Sequence, residues 1–141
     1  MKFGIGQAVR RREDDRFLTG NGRFTDDMNL KGQAYVHFLR SPIAHARLAS
    51  LGSEAARTAA GVFAVFTGAD SPPDIPCQVE VADRHGRPMY APPRPALAGG
   101  TVRYVGEPIA MVIAETQNAA IDAAELIAVD YDELPVIADT A

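Results

Sequence analysis

The sequence predicts a fold that mixes helix and strand, and three consecutive stretches near its end carry that prediction. Ile109–Ala114 (IAMVIA) is an unbroken, partly β-branched apolar run behind Gly106 and Pro108. It is short enough for a strand and apolar enough to be buried on both faces at the centre of a sheet. Thr116 stands where an N-cap would. From Gln117 to Ile127, Asn118, Asp122 and Glu125 fall on one stripe and Ala120, Ala124 and Ile127 on the opposite one, as in an amphipathic helix. Its inward face is mostly alanine, so the helix axis can approach the sheet closely and a bulkier side chain at Ala120 or Ala124 would overpack the contact. Val129 and Tyr131 then alternate with Asp130 and Asp132 up to Pro135, the period of a strand with one wet face. Strand, helix and strand in this order make a right-handed crossover if the two strands are parallel members of one sheet.

Upstream, Met1 to Leu30 carries turn chemistry more than periodicity, with Gly4, Gly6, Gly20, Asn21 and Gly22 ahead of Asp26-Asp27, and reads as an extended arm. Phe17, Leu18 and Phe24 are its large anchors, around a tight turn at Thr19-Gly20-Asn21-Gly22. Gly4-Ile5-Gly6 begins like a dinucleotide fingerprint but has no strand before it and no helix with a third glycine after it. Gln33 to Leu39 is rich in strand formers and predicts a second buried strand. Ser41-Pro42 breaks it, because proline has no amide to donate and restricts the residue before it. Ala44 to Leu51 alternates, placing His45, Arg47 and Ala49 opposite Ala46, Leu48 and Leu51, and predicts a hairpin-like return. Ser53 reads as the N-cap of a short helix over Glu54-Ala55-Ala56-Arg57 that ends before Gly61, and Val62 to Phe66 (VFAVF) as another strand. From Ser71 to Gly100 the character changes: seven of the ten prolines fall here, so the segment predicts a long irregular excursion, of the kind that is usually functional or ordered by a partner.

At 141 residues, 47% hydrophobic and 23% charged, the chain has the size and composition of one globular domain with a real core. No apolar stretch approaches the roughly 20 residues that span a bilayer, and Met1 to Leu30 lacks the apolar core of a signal peptide, so a cytoplasmic chain is expected. A net charge of −4 leaves no basic footprint for nucleic acid. The one basic cluster, Arg10-Arg11-Arg12, is neutralised at once by Glu13-Asp14-Asp15. The lone Cys77 has no adjacent base and is not read as a nucleophile. His37, His45 and His85 lack a second ligand at metal-site spacing. His45, flanked by small residues, reads as structural, hydrogen-bonded across a sheet. Asp130, Asp132 and Glu133 read as a solvated acidic edge that discourages strand pairing. No acid, base and nucleophile converge.

A series of short blocks, in order, resembles a known family: Arg11-Arg12-Glu13-Asp14, Arg16-Phe17-Leu18-Thr19-Gly20, Gly22-Arg23-Phe24-Thr25-Asp26-Asp27, Arg40-Ser41-Pro42, Ala44-His45-Ala46, Val65-Phe66-Thr67-Gly68, Val105-Gly106-Glu107-Pro108-Ile109-Ala110, and Val129-Asp130-Tyr131-Asp132-Glu133-Leu134-Pro135. They resemble the N-terminal α/β hammerhead domain of the molybdopterin-binding large subunit of xanthine dehydrogenase, aldehyde oxidase and carbon monoxide dehydrogenase. The resemblance covers nearly the whole chain except Ser71 to Gly100.

It implies an α+β domain, with a mixed sheet, a packed helix and a proline-rich loop, at the front of an enzyme that oxidises aldehydes, N-heteroaromatics or similar small molecules with molybdopterin. Electrons would leave through two-iron two-sulfur clusters and FAD on partner subunits. The family's cofactor-binding and catalytic segments lie in later domains, so the resemblance assigns no catalytic, cofactor or metal residue here. The expected role is scaffold and interface. Arg11, Arg12, Phe17, Phe24, Asp26 and Asp27 in the arm, and Met89, Tyr90 and Leu97 in the excursion, are the partner-facing candidates; Gly106, Pro108 and His45 are the structural ones. A small-molecule binding protein whose proline loop lids a pocket is the competing reading.

Overall fold

The computed structural model describes residue 6 and residues 11–71, 81–89, 92 and 94–138. The chain divides into two units, Met1–Gln33 and Ala34–Ala141. In the first, the expected arm is not simply extended: it holds a short helix α1 (Asp14–Leu18) and a single 3-10 turn over Thr25–Asp27. Asp14 and Asp15 in the first turn of α1 and Arg16 in its last suit the helix dipole, and Gly20, at φ +72°, lets the chain leave it. Phe17 then stacks on Phe24, ring centres 5.3 Å apart and planes 11° from parallel. Gly22 makes room for that stack, since a Cβ there would stand 2.8 Å from the Phe17 ring.

The second unit runs β1 (Tyr35–Arg40), β2 (Ala46–Gly52), α2 (Glu54–Arg57), β3 (Val62–Thr67), β4 (Thr101–Val102), β5 (Pro108–Ala114), α3 (Gln117–Glu125) and β6 (Ala128–Glu133). Two three-stranded sheets result, ordered β1-β5-β3 and β4-β2-β6, and every pairing is antiparallel. β5 is central, as its apolar run predicts. Thr116 caps α3, its hydroxyl accepting from the Ala119 amide at 3.1 Å. Ala120, Ala123, Ala124 and Ile127 pack against Ala110, Val112 and Ala114 of β5 and Val65 of β3 in the main core. A second core joins Ile109 to Ala46, Ala98 and Val102.

Four expectations are corrected. β5 and β6 are not parallel members of a mixed sheet: β1 and β3 already flank β5, and β6 runs antiparallel to β2 in the other sheet. β2 is not the hairpin return of β1. The chain bends at Pro42, while Ser41 stays tied to the segment ahead of β5, donating its amide to Glu107 O at 2.9 Å and accepting from the Gly106 amide at 2.8 Å. β1 is an edge strand, half-buried only at alternate residues, rather than a buried one. Ser53 precedes α2 without capping it; its hydroxyl accepts instead from Arg57 Nε at 3.1 Å.

Candidate interface surfaces

Among the described residues, those singled out from the sequence form local groups within each unit, and no such group within a unit is a reaction centre. In the N-terminal unit, Phe17 and Phe24 form the exposed aromatic stack, with the Arg16 guanidinium 5.2 Å from the Phe17 ring. Arg11 pairs with Asp14 at 3.1 Å, Asp27 accepts the Phe24 amide at 2.9 Å, and Arg12 and Asp26 are exposed. An exposed ring pair with charges around it is the composition of an interaction surface more than of a core.

The excursion divides into unlike parts. Val81–Met89 folds back on itself: the Met89 amide donates to Val81 O at 2.8 Å, and Ala82 bridges Pro88. Asp83 organises its turn by accepting from the amides of His85 and Arg87 and from Arg87 Nε. Those bonds, the Arg87 amide first, hold the Asp83 carboxyl below its ordinary value. Met89 is exposed. Tyr90 and Cys77 lie outside the described residues. Leu97, expected to face a partner, is a correction: it is only 5% exposed, beside Ala98, whose amide donates to Pro108 O at 2.8 Å. The end of the excursion is therefore stitched to the start of β5 and belongs to this domain.

Gly68 explains how the excursion closes on Gly99-Gly100, and the sequence reading missed its role. A Cβ on Gly68 would lie 2.4 Å from Ala98 O, so two backbones meet where a side chain has no room. The Gly-Gly pair at Gly99-Gly100 was a signal that a close approach or turn ends there.

His45, Gly106 and Pro108, read as structural from the sequence, sit at the ends of strands or in the turn before one. His45 Nδ1 lies 2.8 Å from Pro135 O, and the Leu134 amide donates to His45 O at 2.9 Å, so the ring ties β2 to the end of β6. Gly106 has φ +88° with open space at its Cβ position, a turn requirement and not a close approach. Pro108 opens β5 at the β1 bulge opposite Arg40. Sequence reasoning also missed two buried polar groups beside them. Glu107 is 6% exposed and its carboxylate accepts the Arg103 amide across the intervening turn. The Ser41 hydroxyl, 2% exposed, donates to Ile43 O and accepts from the Ile43 amide. Ser41 also meets Tyr131, whose phenol burial pushes upward while that hydrogen bond acts the other way.

Among the described residues no group of three or more His, Cys, Asp or Glu side chains is placed to hold a metal ion. No helix is long and apolar enough to cross a membrane among those residues. A cleft of about 420 Å³ opens over β1, β5 and β3, bounded by Phe38, Phe66, Met111 and Pro108 and by Ser71 and Leu97 at the two feet of the excursion. Asp70 at its rim is already engaged, accepting from the amide and hydroxyl of Thr67 and lying 3.7 Å from Arg57. Those Thr67 bonds, the backbone one first, hold its carboxyl below the ordinary range.

Two antiparallel sheets around an alanine-faced helix are the geometry to compare with known proteins. Residues 19–135 match the family described as aldehyde oxidase and xanthine dehydrogenase, a/b hammerhead domain. The chain belongs to this family. The large subunit of nicotine 6-hydroxylase from Paenarthrobacter nicotinovorans is 40% identical over 96% of this chain and 16% of its own length. The large chain of carbon monoxide dehydrogenase from Afipia carboxidovorans is 39% identical over the same shares. Quinoline 2-oxidoreductase from Pseudomonas putida 86 superposes with a TM-score of 0.72 at 43% identity, over 96% of this chain and 17% of that one. The hammerhead domain described here thus spans about a sixth of the length of the relatives it matches. The sheets, α3 and the braced turn before β5 all fall within the matched residues.

Proposed function

We propose that this hammerhead domain is the N-terminal scaffold and interface part, as a domain or as a split subunit, of a molybdenum-dependent hydroxylase acting on an aldehyde, an N-heteroaromatic ring or a similar small molecule. The observation that carries the reading is the pairing of a near-complete match on this chain with coverage of only 16% of large subunits named for nicotine and carbon monoxide oxidation. Molybdopterin, when bound in the complex, supplies the oxidising centre. The domains or subunit that bind it, and the iron-sulfur and FAD subunits, are the partners. Arg11, Arg12, Phe17, Phe24, Asp26, Asp27, Met89 and Tyr90 are the residues assigned to partner contact, with His45, Gly106 and Pro108 in structural roles. The expected setting is cytoplasmic.

The test is elemental. Purified alone, the 141-residue chain should carry no stoichiometric molybdenum, iron or flavin by mass spectrometry and absorbance, and should oxidise neither aldehydes nor N-heteroaromatics. Purified with the molybdenum-binding polypeptide of the same source, it should accompany an active enzyme. Stoichiometric molybdenum in a clean monomer of the chain overturns the reading.

A further inference from the structure

The face of the β1-β5-β3 sheet that points away from α3 has the wrong composition for a face in water. Antiparallel sheets that are wet on one side alternate apolar inward with polar outward. Here the register aligns Val36, Ile113 and Ala64 in one outward row and Phe38, Met111 and Phe66 in the next. Val36 is 48% exposed, and Phe38 and Phe66 are 38% exposed each. The charged outward residue, Arg40, lies along the face: its guanidinium sits 5.8 Å from the Phe38 ring centre and donates to Gly106 O at 2.9 Å. A sheet this small gains nothing in isolation from presenting two aromatic rings and a thioether to solvent, so the face is built to be covered.

Three observations choose the occupant. The apolar rows continue beyond the 420 Å³ cleft, whose lining includes Phe38, Phe66 and Met111 but not Val36 or Ile113, so the surface is wider than a small ligand requires. A small-molecule site also needs a few convergent polar groups to fix orientation, and the carboxylate at this rim is already satisfied by Thr67 and Arg57. Finally, the larger part of each large-subunit relative lies outside the region that matches this chain, which covers 16% of it. We infer that the outward face of β1-β5-β3 is the surface on which the molybdenum-binding remainder of the large subunit docks, through aliphatic and aromatic side chains seated between Phe38, Phe66 and Met111 and an oxygen acceptor beside Arg40. This rests on the proposed function and adds to it: the docking surface is a preformed sheet face, bordered by the two feet of the excursion.

Hydroxyl-radical footprinting, read by mass spectrometry, tests it on the wild-type chain alone and on the holoenzyme that contains it. Phe38, Phe66 and Met111 should be oxidised readily in the free monomer and at least fivefold more slowly in the holoenzyme. The double variant Phe38→Ser, Phe66→Ser should leave the far-ultraviolet circular dichroism and Tm of the free chain near wild type while weakening association with the molybdenum-binding polypeptide at least tenfold. If the variant does not fold, the wild-type footprint decides alone. A holoenzyme that contains molybdenum and this chain but leaves the three residues equally labelled sinks the docking surface and spares the proposed function. A chain that accompanies no molybdenum-containing polypeptide sinks both. Protection that rises with chain concentration, alongside a sedimenting dimer, would make the occupant a second copy. Protection already complete in the dilute monomer would make it the chain's own excursion. Protection brought by quinoline or an aliphatic aldehyde alone would make it a small-molecule site. Each of those three results overturns the inference.

Discussion

Gly68 and Gly106 make opposite demands of glycine, and the difference is measurable. At Gly68 the obstacle is spatial: an added Cβ meets the carbonyl of Ala98 at 2.4 Å and the carbon of Gly99 at 2.7 Å, both backbone atoms that cannot swing aside. At Gly106 the space is open and the obstacle is conformational, a φ of +88° that side chains rarely adopt. Gly68→Ala is therefore expected to lower stability by about 2–3 kcal/mol, since the excursion's closing backbone must shift off β5. Gly106→Val should lower it by about 1–3 kcal/mol through strain alone, and Gly106→Asn, whose side chain tolerates the left-handed region, by distinctly less. Thermal melts of the three variants check this; equal losses for valine and asparagine at 106 would show that strain is not the cause. Gly106 was legible in the sequence, because a glycine ahead of Glu-Pro and a strand announces a turn. Gly68 was not, since its neighbour Ala98 is thirty residues away in the chain and proximity at that separation leaves no local pattern. Glu107 was hidden for a related reason: a carboxylate between glycine and proline looks solvated until Arg103 is seen to donate to it.

Among the elements, those with a strong period were readable and their partners were not. The run Ile109–Ala114 and the alanine stripe of α3 identify a central strand and the helix upon it because burial dictates composition at those positions. Which strands pair is settled by contacts of long sequence separation, such as Leu48 with Tyr131, and alternation is the same whichever neighbour a strand takes. Packing on α3 gives a direct prediction. Ala124 is 2% exposed against the sheet, so Ala124→Leu should overpack the contact and cost about 1–3 kcal/mol, whereas Asp122→Leu on the exposed stripe should change Tm little. The Val81–Met89 turn gives a second, in pH. Asp83 has its folded pKa depressed below 3.8, chiefly by the Arg87 amide. The depressed value means that the turn is fully held above the unfolded pKa and is lost as pH falls through the lower folded one. The amide resonances of His85 and Arg87 should accordingly move together below about pH 4, and Asp83→Asn should abolish that titration. Independent movement of the two amides would show that no shared carboxylate organises the turn.

Across the whole molecule, the distribution of burial separates what the domain stabilises by itself from what it offers to others. The inner face of β5 and the alanine face of α3 are buried among β1, β3 and α2, and Leu97 and Ala98 at the end of the excursion are buried as well. By contrast, Asp14–Asp27 buries none of its residues in α1 or the following 3-10 turn, and Val81–Met89 is exposed throughout. Segments with so little burial open at small free-energy cost, while amides in the enclosed strands exchange only through larger openings. In the free chain, then, the amides of Asp14–Asp27 and Val81–Met89 should exchange early and these segments should be cut first by protease. Those of Ile109–Ala114 and Ala120–Ala124, together with Ala98 itself, should stay protected. Binding to the molybdenum-containing partner proposed above should slow exchange in both exposed segments, because the stacked Phe17 and Phe24 and the exposed Met89 gain there the burial that local structure does not supply. Phe17→Ala should weaken that association about tenfold or more and leave the Tm of the free domain nearly unchanged, since among the described residues the ring contributes to no core cluster. Hydrogen exchange with and without the partner distinguishes the alternatives: protection of Asp14–Asp27 already present in the free chain would make the aromatic stack part of the domain's own stability and move the interface elsewhere.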